Sequence, residues 1–112
     1  MKGKPLLPTL RTKKRYVAYE LICGKNIDMK KAYQMIKDAY KECFGSVGLS
    51  LSGLMDTRIY KENKGILKIN HNSMDELRLA MANIKKIDEM KVILHTVGVS
   101  GMLATTKKYL GG

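Results

Sequence analysis

Two cysteines, two histidines, two prolines and only ten acidic residues are spread over 112 positions. Each scarcity closes off a class of function. Cys23 and Cys43 form no Cys-x-x-Cys motif and nothing around them resembles a secreted disulfide scaffold, although sequence leaves a bond between them open. Both are read at apolar positions, where a free thiol packs as a small hydrophobe. His71 and His95 fall in different elements, with no His-x-x-x-His and no paired acidic motif, so convergent metal ligands are not expected. There is no Walker loop and no Gly-x-Gly-x-x-Gly. Ser100, within Gly98-Val99-Ser100-Gly101, lacks the Gly-x-Ser-x-Gly spacing of a nucleophile elbow. It is read as a turn or helix cap whose neighbouring N–H groups could also receive a phosphate. No catalytic residue and no metal site are expected. No apolar run approaches the ~20 residues of a membrane span, and Lys2-Gly3-Lys4-Pro5 leads into too short an apolar patch for a signal peptide. The expected location is cytoplasmic.

What the chain does have is positive charge. Twenty-one Lys and Arg against ten Asp and Glu give a formal charge of +11. Such a surface attracts polyanions. With membrane disfavoured, nucleic acid is the expected partner. One domain is the natural size for this length.

The pattern of residues divides the chain into an arm, a domain and a tail. Residues 1–15 hold Pro5 and Pro8, which oppose helix and central strand, and six cations with no acid between them. The arm is either a solvated tail or a segment that tracks a nucleic-acid backbone. Residues 16–99 carry the domain. Tyr16 to Cys23 reads as a strand with two largely apolar faces, Val17, Tyr19, Leu21 and Cys23 on one side and Tyr16, Ala18, Glu20 and Ile22 on the other. Asp28 is a candidate N-cap for a helix running to about Phe44, with Gly45 as its stop. Residues 46–52 read as a loop, Gly53 to Tyr60 as a second strand, 61–65 as a hairpin loop with Gly65 at positive φ, and Ile66 to Asn70 as a third strand. Ser73 with Glu76 looks like a capping box opening a second helix, whose buried face takes Leu77, Ala80, Met81, Ile84 and Ile87. Lys91 to Val99 reads as a fourth strand, and residues 100–112 as a short basic tail with a helical turn.

The order β-α-β-β-α-β, with right-handed crossovers, predicts the ferredoxin-like α+β fold: a four-stranded antiparallel sheet with both helices on one face. That fold alone assigns no function. A nucleic-acid-binding sheet of this kind stacks bases on aromatics of its first and third strands. Here the third strand reads Lys64-Gly65-Ile66-Leu67-Lys68-Ile69, without aromatics. The open sheet face is therefore read as a protein interface, with Tyr16, Tyr19, Ile66 and His95 as its candidate residues. Sequence leaves open which face that is. RNA contact is expected from charge directed at the backbone: Arg11, Lys13, Lys14, Arg15, Arg58, Lys107 and Lys108, with Ser100 at the turn.

Two segments carry a resemblance. Leu7-Pro8-Thr9-Leu10-Arg11-Thr12-Lys13-Lys14-Arg15-Tyr16-Val17-Ala18-Tyr19-Glu20 resembles the opening of the archaeal ribonuclease P protein component 2 family, whose eukaryotic relatives serve ribonuclease P and ribonuclease MRP. Gly98-Val99-Ser100-Gly101 is similar to that family's Ser-Gly turn after the last strand. The resemblance implies an endoribonuclease holoenzyme that removes the 5′ leader of precursor tRNA, in which RNA is the catalyst and Mg²⁺ is held mainly by the RNA. On this reading the polypeptide is non-catalytic and binds no cofactor. The implied partners are ribonuclease P RNA, which it stabilises in its catalytic domain, protein component 3, and a second copy of itself in a heterotetramer, with precursor tRNA as the substrate of the complex. Two competing readings are a ribosomal protein of the same fold and a small-molecule-binding regulatory domain. The first is separated by the RNA it carries; the second is opposed by the charge.

Overall fold

The computed structural model describes residues 13–87 and 89–111. Arg11 and the rest of the arm through residue 12 lie outside the described residues. The elements run β1 (Lys14–Ile22), α1 (Met29–Ser52), β2 (Met55–Lys61), β3 (Lys64–Asn70), a 3-10 turn (His71–Ser73), α2 (Met74–Ala82), the short strands β4 (Lys86–Ile87) and β5 (Met90–Lys91), β6 (Ile93–Ser100), α3 (Leu103–Lys107) and a final 3-10 turn (Lys108–Leu110). The main sheet has the order β2-β3-β1-β6, with every neighbouring pair antiparallel. This is the ferredoxin-like arrangement. β4 and β5 form a separate two-stranded ribbon.

The core follows from the alternation along β1. Val17, Tyr19 and Leu21 point to one side and are buried with Leu67 and Ile69 of β3, Ala32, Ile36 and Tyr40 of α1, and Leu77, Ala80 and Met81 of α2. Burying one such aliphatic side chain stabilises by roughly 1.5–3 kcal/mol relative to exposure. Asp28 caps α1 as expected: its Oδ1 accepts from the Lys30 N–H at 3.0 Å, which satisfies one of the orphan donors of the first turn.

Several local expectations are corrected. Gly45 breaks the helix as expected, but a second helical run follows it directly. That glycine takes φ 79°, ψ 171°, the helix kinks there, and residues 46–52 continue as helix to an end at Gly53, which adopts φ 67°. The small residues read as a loop are helical because Ser52 is buried and ties the end together: its hydroxyl donates to the Leu49 carbonyl at 2.6 Å and accepts from the Leu54 N–H at 3.1 Å. In the β2–β3 hairpin Glu62, not Gly65, has positive φ. Gly65 is needed for close approach instead. A Cβ there would stand 2.9 Å from the Tyr19 hydroxyl oxygen. Ser73 makes no side-chain cap bond, so the capping box is absent. Its partner Glu76 accepts from the Tyr40 hydroxyl, a tertiary bond that outcompetes the local one. α2 ends at Ala82, and Ile84 and Ile87 reach the core from the following loop and ribbon. Cys43 is exposed and Cys23 half-buried; both thiols are free.

The Tyr40 hydroxyl has a testable consequence. Burial, and then its bond to Glu76, push its pKa from 10.0 up to about 12. The fold therefore holds the neutral phenol. The stability this contributes is complete below pH 10 and is lost as the pH rises through about 12, because the unfolded chain releases the proton first. Unfolding in urea across that window should show a shallower alkaline loss for Tyr40→Phe than for the parent. Equal slopes would contradict the coupling.

The other sheet face is not open as expected. The C-terminal segment crosses it from the Ser100 end toward Lys61, whose Nζ donates to the Gly111 carbonyl at 2.9 Å. Leu110 is buried against Ala18 and Ile66, with Tyr16, Ile59, Val97 and Leu103 packed around them. Thr106 is buried and donates its hydroxyl to the Met102 carbonyl at 2.9 Å. Gly98 accommodates the Tyr109 ring, which would overlap any Cβ at that position. The tail is thus part of the domain.

Candidate nucleic-acid interface

Lys13, Lys14 and Arg15 stand together at the sheet end where β1 begins. The Lys13 carbonyl accepts from the His71 N–H at 2.7 Å. Lys14 donates to Asn70 Oδ1, and Asn70 Nδ2 donates to the Leu51 carbonyl at 2.8 Å. These bonds tie the start of β1 to the start of the 3-10 turn and to the end of α1. Arg15 alternates onto the helix side, and its Nη1 lies 3.1 Å from where a Gly101 Cβ would stand. Its guanidinium makes a long bond, 3.4 Å, to the Lys14 carbonyl. A groove of about 430 Å³ opens beside it, lined by Arg15, His71, Asn72, Asp75, Arg78 and Val99 among others. On the opposite sheet face Lys68 Nζ sits 5.9 Å from the Tyr16 ring centroid, within the range of a cation–π contact.

The expected RNA residues therefore separate. Lys13, Lys14, Arg15 and Ser100 share this sheet end. Ser100 acts as a turn cap, with its Oγ accepting from the Met102 N–H at 3.1 Å. Lys107 and Lys108 are exposed on the segment that covers the reverse face. Arg58 stands on the far edge strand, in a bulge where Thr57, Arg58 and Ile59 oppose Ile66 alone. Arg58 takes φ 62° there. The bulge is held by side chains: Asp56 Oδ1 accepts from the Arg58 N–H at 2.9 Å and Thr57 donates to the Ile66 carbonyl at 2.7 Å. The Tyr60 hydroxyl donates to the other Asp56 oxygen. Burial first, and that carboxylate second, push the Tyr60 pKa up.

Two of the four expected interface residues are corrected. Tyr19 and Ile66 are fully enclosed by this chain's own side chains, one beneath the helices and one beneath Leu110, and offer no surface to a partner. The Tyr19 hydroxyl is buried with no hydrogen-bond partner among the described residues, and desolvation pushes its pKa up. Tyr16 is half-buried, and His95 is exposed with Nε2 3.1 Å from Glu20 Oε1. The exposed apolar side chains lie elsewhere. Val47 and Leu51, each 72% exposed, sit on the last turns of α1, and Ile22 and Ile93 pair across β1 and β6. Alternation could not find Val47 and Leu51, because residues 46–52 do not read as helix. No group of three His, Cys, Asp or Glu is placed to hold a metal ion among the described residues. Among those residues no helix is long and apolar enough to cross a membrane.

The sheet order and the helices on one face define a small α+β domain of the ferredoxin-like class. Residues 15–111 match the Rpp14/Pop5 family, and the chain belongs to it. Two archaeal relatives are both named ribonuclease P protein component 2. The protein of Archaeoglobus fulgidus is 31% identical over 115 residues, covering 98% of each chain. That of Methanosarcina mazei is 32% identical over 110 residues, covering 96% of this chain and 92% of its own. A chain in the cryo-EM structure of yeast ribonuclease MRP superposes with a TM-score of 0.65 at 12% identity, over 89% of this chain and 87% of that one. At that identity the likeness concerns the fold.

Proposed function

We propose that the chain is a protein subunit of the ribonuclease P ribonucleoprotein, the endoribonuclease that removes the 5′ leader of precursor tRNA. The observation that carries this reading is the kinship to ribonuclease P protein component 2 over nearly the whole length. Its role is to bind the RNA subunit and stabilise its catalytic domain. Lys13, Lys14 and Arg15, with Arg11 from the arm and Lys107 and Lys108 from the C-terminal segment, supply cations for RNA phosphates. Such contacts fix position and orientation and carry no sequence readout of their own. Arg58, on the opposite edge, is a separate contact. The RNA performs the cleavage with Mg²⁺ that it holds itself; this chain contributes binding and orientation. The exposed apolar residues at the end of α1 and the Ile22–Ile93 pair suit protein contacts, which we assign to protein component 3 and to a second copy of this chain in a heterotetramer. The working location is the cytoplasm.

The test is capture of the tagged full-length chain from its native cells, followed by sequencing of the RNA that comes with it. Ribonuclease P RNA should dominate. Ribosomal RNA in its place would move the chain to the ribosome, and saturable binding of a small molecule with no RNA would make it a regulatory domain. A further expectation concerns catalysis: the purified, RNA-free chain should release no leader from precursor tRNA. Leader release abolished by a point substitution in this chain would contradict that.

A further inference from the structure

One groove was not foreseen from sequence. It lies between the start of β1 and the start of α2, about 430 Å³ in volume, with Arg15, His71 and Arg78 around it. Its two arginines come from separate elements, β1 and the second turn of α2, and His71 from the 3-10 turn stands between them in the chain. Among the described residues Arg15 makes one hydrogen bond, to the Lys14 carbonyl at 3.4 Å, longer than the usual range. Arg78 faces Asp75 one turn earlier at 3.6 Å, with both side chains largely exposed, a pair of small worth in water. Asp75 is the one acid of the lining. Lys13 is held at the same place, since its carbonyl accepts from the His71 N–H.

We infer that this groove seats a phosphodiester of an RNA backbone, clamped between the Arg15 and Arg78 guanidinium groups with His71 beside it. The inference rests on the RNA-binding reading above and gives it a location. Two guanidinium forks converging on one groove provide planar, paired donors suited to phosphate oxygens. The groove continues the cationic path of Lys13 and Lys14 around the end of the sheet, so one strand of RNA can pass these lysines and enter it. A second groove of about 210 Å³, between α2 and β6, also has Arg78 on its wall.

The experiment measures binding of the full-length chain to the ribonuclease P RNA transcript over a range of salt concentrations. The double substitution R15Q/R78Q should weaken binding about ten-fold and lower the salt slope by roughly 1.5–2 units, the share of two released counterions. Exposed Lys85 and Lys86, beyond the far end of α2, form the control. K85Q/K86Q removes equal charge and should change affinity by about two-fold or less through the general field alone. D75N should act in the opposite direction and tighten binding roughly two- to three-fold, a gain that a misfolded variant cannot produce. Equal effects of the two double substitutions, or no gain in D75N, would overturn the groove. Binding of inorganic phosphate that R15Q/R78Q abolishes, with RNA affinity unchanged, would assign the groove to a free anion and also overturn the inference. A parent chain that fails to bind the transcript at all would sink the RNA reading itself, a result distinct from these.

Discussion

Leu67→Ala should lower the unfolding free energy by about 2–5 kcal/mol, the range for removing a fully buried leucine and leaving a cavity. Leu67 sits on β3, a central strand of the sheet, opposite Val17 on one side and Asp56 on the other. It is fully buried in the core on the helix side of the sheet. Backbone pairing on both sides restrains the strand, so the void cannot collapse cheaply. Domains of this size are stable by only about 5–15 kcal/mol, so the loss is a large fraction of the total. Thermal unfolding should shift down by roughly 4–8 °C for each kcal/mol lost. Ile93→Ala is the comparison. Ile93 is apolar and on β6 but exposed, and its truncation should cost about 0.5 kcal/mol or less. Equal losses for the two would contradict the assignment of the core to the helix side of the sheet.

The second large effect is on RNA. Neutralising Lys13, Lys14 and Arg15 together, as K13Q/K14Q/R15Q, should lower the salt slope of binding by about two to three units. The three residues are consecutive but do not point the same way. Arg15 turns toward the groove beside α2, while Lys14 reaches Asn70. A strand of RNA that wraps the sheet end meets all three. Because Lys14 also ties β1 to Asn70, the variant needs a thermal melt beside the binding curve. An unchanged slope in a folded variant would remove the arm from the RNA contacts.

The fold was legible because its signals are local and periodic. Val17, Tyr19 and Leu21 alternate along a strand, and Ala32, Ile36 and Tyr40 recur along a helix; both elements form, and these residues make the core between them. What sequence could not show depended on contacts between distant residues. Residues 46–52 are rich in small polar side chains and read as a loop, yet the Ser52 hydroxyl and Gly53 close them into helix. Tyr19 looked like an interface residue because both faces of β1 are apolar; the face it belongs to is settled only by where α1 and α2 pack. Ile66 is on the reverse face as expected, but Leu110, far along the chain, covers it. For the candidate site, Lys13, Lys14 and Arg15 stood out by charge. Their neighbours His71 and Arg78 did not, since nothing in a helix sequence marks a lone arginine as facing a strand more than fifty residues earlier.

The central claim is that this polypeptide works as part of the machinery that matures the 5′ ends of tRNA. Depleting it in its native cells and probing total RNA for precursor tRNAs tests that most directly. The account predicts that transcripts retaining their 5′ leaders accumulate as the chain disappears and that re-expression clears them. Normal 5′ ends throughout depletion would contradict it.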